Sequence, residues 1–253
     1  MIQYFDSKQL LEVNILVGRF LLKDIPMVYG SQDDIYSFIE DQIGKEKLWI
    51  VTLNALMYME YLKGNEYSKA ISKASFSIPD GVGIVKLLKK KGIETERCPG
   101  IDTMKYLLEL SEINNYRIFL LGSEEGVVKQ AAQIIEKIFK VNIVGYHHGY
   151  FDKNAEGELV RKINDSKTDL LFVGMGIPKQ ESFIFRNYET LQAKLMMGVG
   201  GSFDVFAGVT KRAPLFFQKL GLEWLYRMFE EPHRFKKLPD LFKFYMNLYR
   251  NKD

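Results

Sequence analysis

From about residue 47 to residue 200, apolar β-rich runs alternate with stretches whose apolar positions recur at helical spacing. This alternation predicts a mostly parallel sheet with helices on both faces, an α/β fold of Rossmann-like type. Lys47–Leu53 (KLWIVTL) reads as a buried strand, followed by a helix over Asn54–Lys63 that Asn54 is placed to cap. Phe76–Ile78 is a short strand that leaves through Pro79-Asp80-Gly81 into a helix over Gly83–Lys91. A helix at Asp102–Glu112 enters through Pro99-Gly100, with Asp102 expected as its cap.

Tyr116–Leu121 is a strand, and Gly122-Ser-Glu-Glu-Gly126 turns it into a helix over Val127–Lys140. Val141–Tyr146 and Asp169–Val173 are strands separated by a helix over Asn154–Asp165. A helix over Gln180–Tyr188 and a strand at Leu195–Val199 complete the pattern. The N-terminal part carries a weaker pattern, with a strand at Val13–Val17 and a helix over Asp33–Ile43. After Gly208 strand signals stop and helical spacing takes over. That shift divides the chain into a core, 1–207, and a C-terminal helical appendage, 208–253.

Charge sharpens the division. The formal net charge is +3, but residues 208–253 hold ten Lys/Arg against five Asp/Glu. The core is therefore slightly acidic and the appendage basic. Phe235, Leu238, Phe242, Tyr245 and Tyr249 recur at helical spacing with Lys236, Lys237, Lys243 and Arg250 between them. That pattern suits a helix lying on an anionic lipid surface, or one packing on a partner helix. The longest uncharged run, Leu48–Met59, falls short of the roughly 20 apolar residues that span a bilayer. Membrane contact is expected to be peripheral. The opening MIQYFDSKQL lacks the regions of a secretory leader, and the single cysteine, Cys98, suits a reducing compartment. The expected location is cytoplasmic, against the inner face of the cell membrane.

Every apolar strand ends in small or polar residues: Thr52 with Asn54, Pro79-Asp80-Gly81, Gly122-Ser123, Gly149-Tyr150, Gly174–Gln180 around Gly176, and Gly198–Asp204. Ligands of open α/β sheets bind at the carboxyl ends of strands. A single glycine of this set reads as a turn; their recurrence at equivalent positions is the signal. Gly122-Ser123, leading into a helix, offers backbone N–H groups to a phosphate. Asp80 reads either as a cap for the following helix or as a base that takes a proton from a substrate hydroxyl.

Several classes are excluded. GxGxxG fails at each candidate, GxxxxGK[ST] is absent, and so is G-x-S-x-G. No His or Cys spacing suits a metal, and no cofactor is implied. There is no Asp-x-Asp pair to hold a divalent ion on a diphosphate, which leaves Arg and Lys to neutralise it.

The motifs together resemble the WecG/TagA/CpsF glycosyltransferase family. The matching pieces are Thr52-x-Asn54, Pro79–Gly83, Arg97 with Pro99–Asp102, Phe119–Ser123, Gly145–Phe151, Val173–Glu181, Gly198–Asp204 and the run from Lys211 to Arg234. Leu53 stands where the family commonly has Pro, and Lys236-Lys237 where a further Arg is common.

The resemblance implies an inverting, metal-independent transferase of cell-surface polymer and teichoic-acid synthesis. It moves an N-acetylmannosamine-type sugar from UDP to N-acetylglucosamine on undecaprenyl diphosphate. By this resemblance Asp80 is the general base, and Thr52, Asn54, Arg97 and Gln180 surround the sugar and phosphates. Gly149, Tyr150 and Asp204 meet uridine and ribose, and Arg227 and Arg234 close over the diphosphate. The expected partners are the UDP-sugar, the lipid-linked acceptor and an anionic membrane; apolar surface on an undocked appendage could also draw a second copy into a homo-oligomer. The alternative is a nucleotide-sugar-binding module without catalysis; nucleic-acid binding is disfavoured by the acidic core.

Overall fold

The computed structural model describes residues 17–219, 222–230 and 232–250. In chain order its strands are β1 (Gly18–Leu22), β2 (Ile25–Tyr29), β3 (Leu48–Leu53), β4 (Phe76–Pro79), β5 (Arg117–Gly122), β6 (Asn142–His147), β7 (Leu170–Gly174) and β8 (Leu195–Gly198). They form one sheet in the order β1-β2-β4-β3-β8-β7-β5-β6. β1 runs antiparallel to β2, and the remaining pairings are parallel.

Helices α1 (Gln32–Gln42), α2 (Ala55–Tyr61), α3 (Glu66–Ile71), α4 (Val82–Lys90), α5 (Gly100–Asn114), α6 (Glu125–Phe139), α7 (Glu156–Asp165), α8 (Lys179–Asn187) and α9 (Ser202–Phe206) cover both faces. Central strands are apolar throughout because each face meets helices. Phe119 and Leu121 of β5 share one layer with Trp49, Val51 and Leu53 of β3, under α2, α3, α4, α7 and α8. Ile118 and Leu120 share the other with Leu48 and Ile50, under α1, α5, α6 and α9.

The expected α/β architecture is present, with small shifts at element ends. The strand expected at Val13–Val17 lies, apart from Val17, outside the described residues. The hairpin of β1 and β2 carries no signal in the sequence pattern. Its two-residue turn, Lys23-Asp24, puts Lys23 in the left-handed region at φ 55° without the glycine that usually marks such a turn. Pro26 inside β2 masks the strand pattern further, because a proline within a run ordinarily argues against an interior strand. Asp102 does not cap α5. Pro99 holds the cap position, and Asp102 stands in the first turn with its carboxylate gripped by both Arg212 amino groups at 2.7 and 2.6 Å.

The C-terminal segment adds α10 (Leu215–Lys219), α11 (Glu223–Glu230) and α12 (Leu238–Arg250). α12 packs on α2, burying Leu241, Phe244 and Leu248 in the first layer. Burial of each such side chain is worth about 1.5–3 kcal/mol. Lys90 donates to the Leu248 carbonyl beside this contact. The approach is close: a Cβ added to Gly83 would stand 2.9 Å from the Phe244 ring. Phe242 and Tyr249, on the same helix, remain 65% and 71% exposed.

Candidate active site

The carboxyl ends of the parallel strands share one edge of the sheet, and a cavity of about 460 Å³ opens there beneath the C-terminal helices. It collects Thr52, Asn54, Asp80, Arg97, Gly176 and Gln180 from the sequence-derived set. Thr52, the penultimate residue of β3, donates from Oγ1 to the Gly198 carbonyl at 3.1 Å. Asn54 caps α2 as expected, its Oδ1 accepting from Leu56 N and Met57 N at 3.1 Å each.

Asp80 follows β4, and the reading of it as a cap for the next helix does not hold. Gly81, not Asp80, stands at the cap of α4, with no side-chain bond there. The Asp80 carboxylate instead accepts the Gly100 N–H at 2.5 Å, at the first turn of α5. A helix N-terminus orients and favours a carboxylate. Arg97 reaches from the loop before α5 and pairs with Glu223 of α11, Nη1 to Oε2 at 2.6 Å.

A second group lies beside this cavity rather than in it. Ser123 donates from Oγ to Asp204 Oδ1 at 2.7 Å, and Gly149 N–H donates to the Ser123 carbonyl at 2.9 Å. Gly122 permits this knot: at φ 144°, a Cβ there would lie 2.3 Å from the Gly174 carbonyl oxygen. The expectation of a free phosphate-binding N–H at Ser123 is corrected here, because that N–H donates to Gly174 O at 3.0 Å. Met175 connects the two groups: it lines the cavity, and a Cβ added to Gly149 would stand 3.0 Å from its Cγ. Tyr150 is exposed at the rim of this second group, and Gly198 lies under the Gln180 amide. The side chains of Arg227 and Arg234 lie outside the described residues.

For the C-terminal appendage the sequence reading named Arg227 and Arg234 over the diphosphate and did not single out the residues of the opposite wall. Glu223, Trp224, Met228, Lys237, Leu241 and Tyr245, all from the C-terminal segment, line the cavity. The chemistry of this wall divides: Glu223 and Lys237 carry charge, and the other four are largely apolar. Their concentration in one basic, aromatic segment was visible, but not which of them turn inward. Among the described residues no three His, Cys, Asp or Glu side chains converge to hold a metal ion. Nor is any described helix long and apolar enough to cross a membrane.

A family model for the glycosyl transferase WecG/TagA/CpsF family matches residues 21–253. The chain belongs to the WecG/TagA/CpsF glycosyltransferase family. Two relatives, from Staphylococcus aureus strains MW2 and NCTC 8325, are each 36% identical over 210 residues, 83% of this chain and 82% of theirs. Both are named N-acetylglucosaminyldiphosphoundecaprenol N-acetyl-beta-D-mannosaminyltransferase. The WecG/TagA/CpsF match includes the C-terminal helices as well as the sheet. The residues of both walls of the cavity fall within the span that the family model matches.

Proposed function

We propose that this glycosyltransferase moves N-acetylmannosamine, or a closely related sugar, from UDP to N-acetylglucosamine on a polyprenyl diphosphate. The names of the relatives supply the substrate class, and one observation carries the reading to this chain. Asp80 and Arg97, a carboxylate and a guanidinium from separate loops, line the same cavity.

In this reading uridine and ribose lie over Ser123, Gly149, Tyr150 and Asp204, and the diphosphate points into the cavity. Thr52, Asn54 and Gln180 hold the sugar. The acceptor hydroxyl gives its proton to Asp80 as its oxygen attacks the anomeric carbon from the face opposite UDP. The bond from that carbon to the phosphate oxygen breaks, and UDP leaves with the electron pair. One displacement inverts the anomeric centre. Arg97 and Lys237, with Arg227 and Arg234 as further candidates, offset the charge that grows on the leaving diphosphate. The reaction then proceeds without a metal ion.

The acceptor is a lipid, so its chain leaves the cavity past Trp224, Met228 and Tyr245 toward a bilayer. Phe216, Phe229, Phe242 and Tyr249, all exposed, with the basic residues between them, support peripheral attachment of the C-terminal segment. The test is a transfer assay with UDP-N-acetylmannosamine and a short-chain lipid-diphosphate-N-acetylglucosamine, with and without EDTA. Disaccharide formed by the wild type, unaffected by EDTA and lost in Asp80→Asn, is the expected result. Full activity in Asp80→Asn would remove the base from the mechanism, and loss with EDTA would remove metal independence.

A further inference from the structure

We infer that Glu181 is a positioning residue: its buried carboxyl, bonded to the Gln180 amide, sets the orientation of that amide at the cavity during transfer. The inference rests on the transferase reading above. Gln180 lines the cavity, and its Oε1 accepts from Gly176 N and Gly200 N at 3.1 and 3.0 Å. Two backbone donors on one atom require that atom to be the oxygen. The nitrogen therefore carries both amide hydrogens, and one of them goes to Glu181 Oε1 at 2.6 Å.

Beneath this pair lies Gly198. A Cβ there would stand 2.4 Å from Gln180 Nε2 and 2.9 Å from Glu181 Oε1. The amide is thus held by the loops after β7 and β8, by the bare backbone of β8, and by Glu181. Of these holds, Glu181 is the only one made by a side chain able to carry charge.

Glu181 is 1% exposed, and its second oxygen, Oε2, has no hydrogen-bond partner. Burial pushes its carboxyl up to about 8, against the lowering effect of the Gln180 amide and of its own backbone N–H. At neutral pH it holds a proton. From α3 comes Tyr67, whose buried hydroxyl also lacks a partner; burial first, and the Glu181 carboxylate once it ionises, keep that hydroxyl protonated. β8 brings no ionisable group. A neutral carboxyl accepts the amide hydrogen without setting a negative charge near the diphosphate of the donor. If α8 needed only packing here, an apolar side chain of similar size would serve better than a buried acid. Its presence next to a cavity residue marks a functional arrangement.

The experiment measures kcat, and KM for the sugar nucleotide, in the full-length enzyme and in Glu181→Gln, Glu181→Met, Gln180→Met and the 180/181 double methionine variant. Glu181→Gln keeps an oxygen that accepts from Gln180, and its kcat is expected to stay within about 3-fold of wild type. Glu181→Met keeps the bulk and removes the acceptor, and kcat is expected to fall by about 10-fold. In the Gln180→Met background the same change is expected to cost less than about 2-fold, because the amide it positions is gone.

A pH profile gives a second readout should Glu181→Met fail to fold. Wild-type kcat/KM is expected to fall above about pH 8 as Glu181 ionises, and Glu181→Gln to lose that limb. An equal cost of Glu181→Met in both backgrounds, or an alkaline limb retained in Glu181→Gln, overturns the assignment. A wild type inactive with every UDP-sugar overturns the transferase reading and this inference with it; an active wild type with additive effects overturns this inference alone.

Discussion

Arg97 of the core and Glu223 of α11 meet at 2.6 Å across the seam that roofs the cavity, and both are mostly buried there. Next to them Arg212 grips Asp102 and stands 3.9 Å from Glu223. In the proposed reaction Arg97 must exchange Glu223 for a phosphate. Glu223→Gln removes the competing charge while the Arg212–Asp102 pair keeps the segment attached. UDP is then expected to bind roughly 3–10-fold more tightly by calorimetry, the equivalent of about 1 kcal/mol. Unchanged or weaker binding would mean that Glu223 holds Arg97 ready for phosphate instead of occupying it.

The seat of α12 gives a second expectation. Phe244 is buried against α2 and meets Tyr58 edge-on, with ring centroids 6.2 Å apart. Phe244→Ala is expected to weaken docking of the C-terminal segment by about 3 kcal/mol. Trypsin should then cut after the lysines and arginines beyond residue 210 much sooner, while the sheet keeps its melting temperature within a few degrees. A core that melts early along with the segment would show that the two fold as one unit.

Glu181→Gln also has a stability signature. The Glu181 carboxyl titrates at about 8 in the folded chain against an ordinary 4.5. The unfolded chain therefore releases this proton at lower pH than the folded chain does. Stability contributed by the protonated group is complete below about pH 4.5 and is lost as pH rises to about 8. Relative to wild type, Glu181→Gln should gain stability between pH 5 and pH 8, on the order of a few kcal/mol. Urea melts at the two pH values check this; a difference that does not change with pH would place Glu181 in a charged state throughout.

Asp169 behaves in the opposite sense. Burial pushes its carboxyl up, but bonds from the Arg117 side chain and backbone and from Lys194 outweigh it and hold the group at about 2. It stands just before β7, at the edge of the sheet away from the cavity. Its stabilisation is present above about pH 4 and lost as pH falls toward 2. Asp169→Asn should lower stability by about 1–2 kcal/mol at pH 7, progressively less below pH 4, and leave kcat unchanged.

The parts of this molecule that are local in sequence could be read from it. Asn54 announces itself as a cap, and strands such as Arg117–Gly122 are apolar at nearly every position because both faces are covered. Contacts between distant segments could not. Asp80 accepts from a backbone N–H twenty residues on, where local reasoning offered only a cap for the next helix or a base. Glu181 sits in the first turn of α8, where an acidic residue ordinarily faces water and complements the helix dipole. Nothing nearby in sequence reveals that β8 and α3 cover it. The inward turn of Trp224 and Lys237 likewise depends on how α11 and α12 settle on the sheet.

Gly83 gives the seam a direction. The Phe244 ring already lies closer to this backbone than any side-chain carbon would permit. Every replacement of that glycine adds atoms on the side where α12 rests, and none removes any. A side-chain carbon at this position therefore obliges the Phe244 ring, or α12 with it, to shift. The bare backbone of α4 is thus part of the seat on which the C-terminal helix rests.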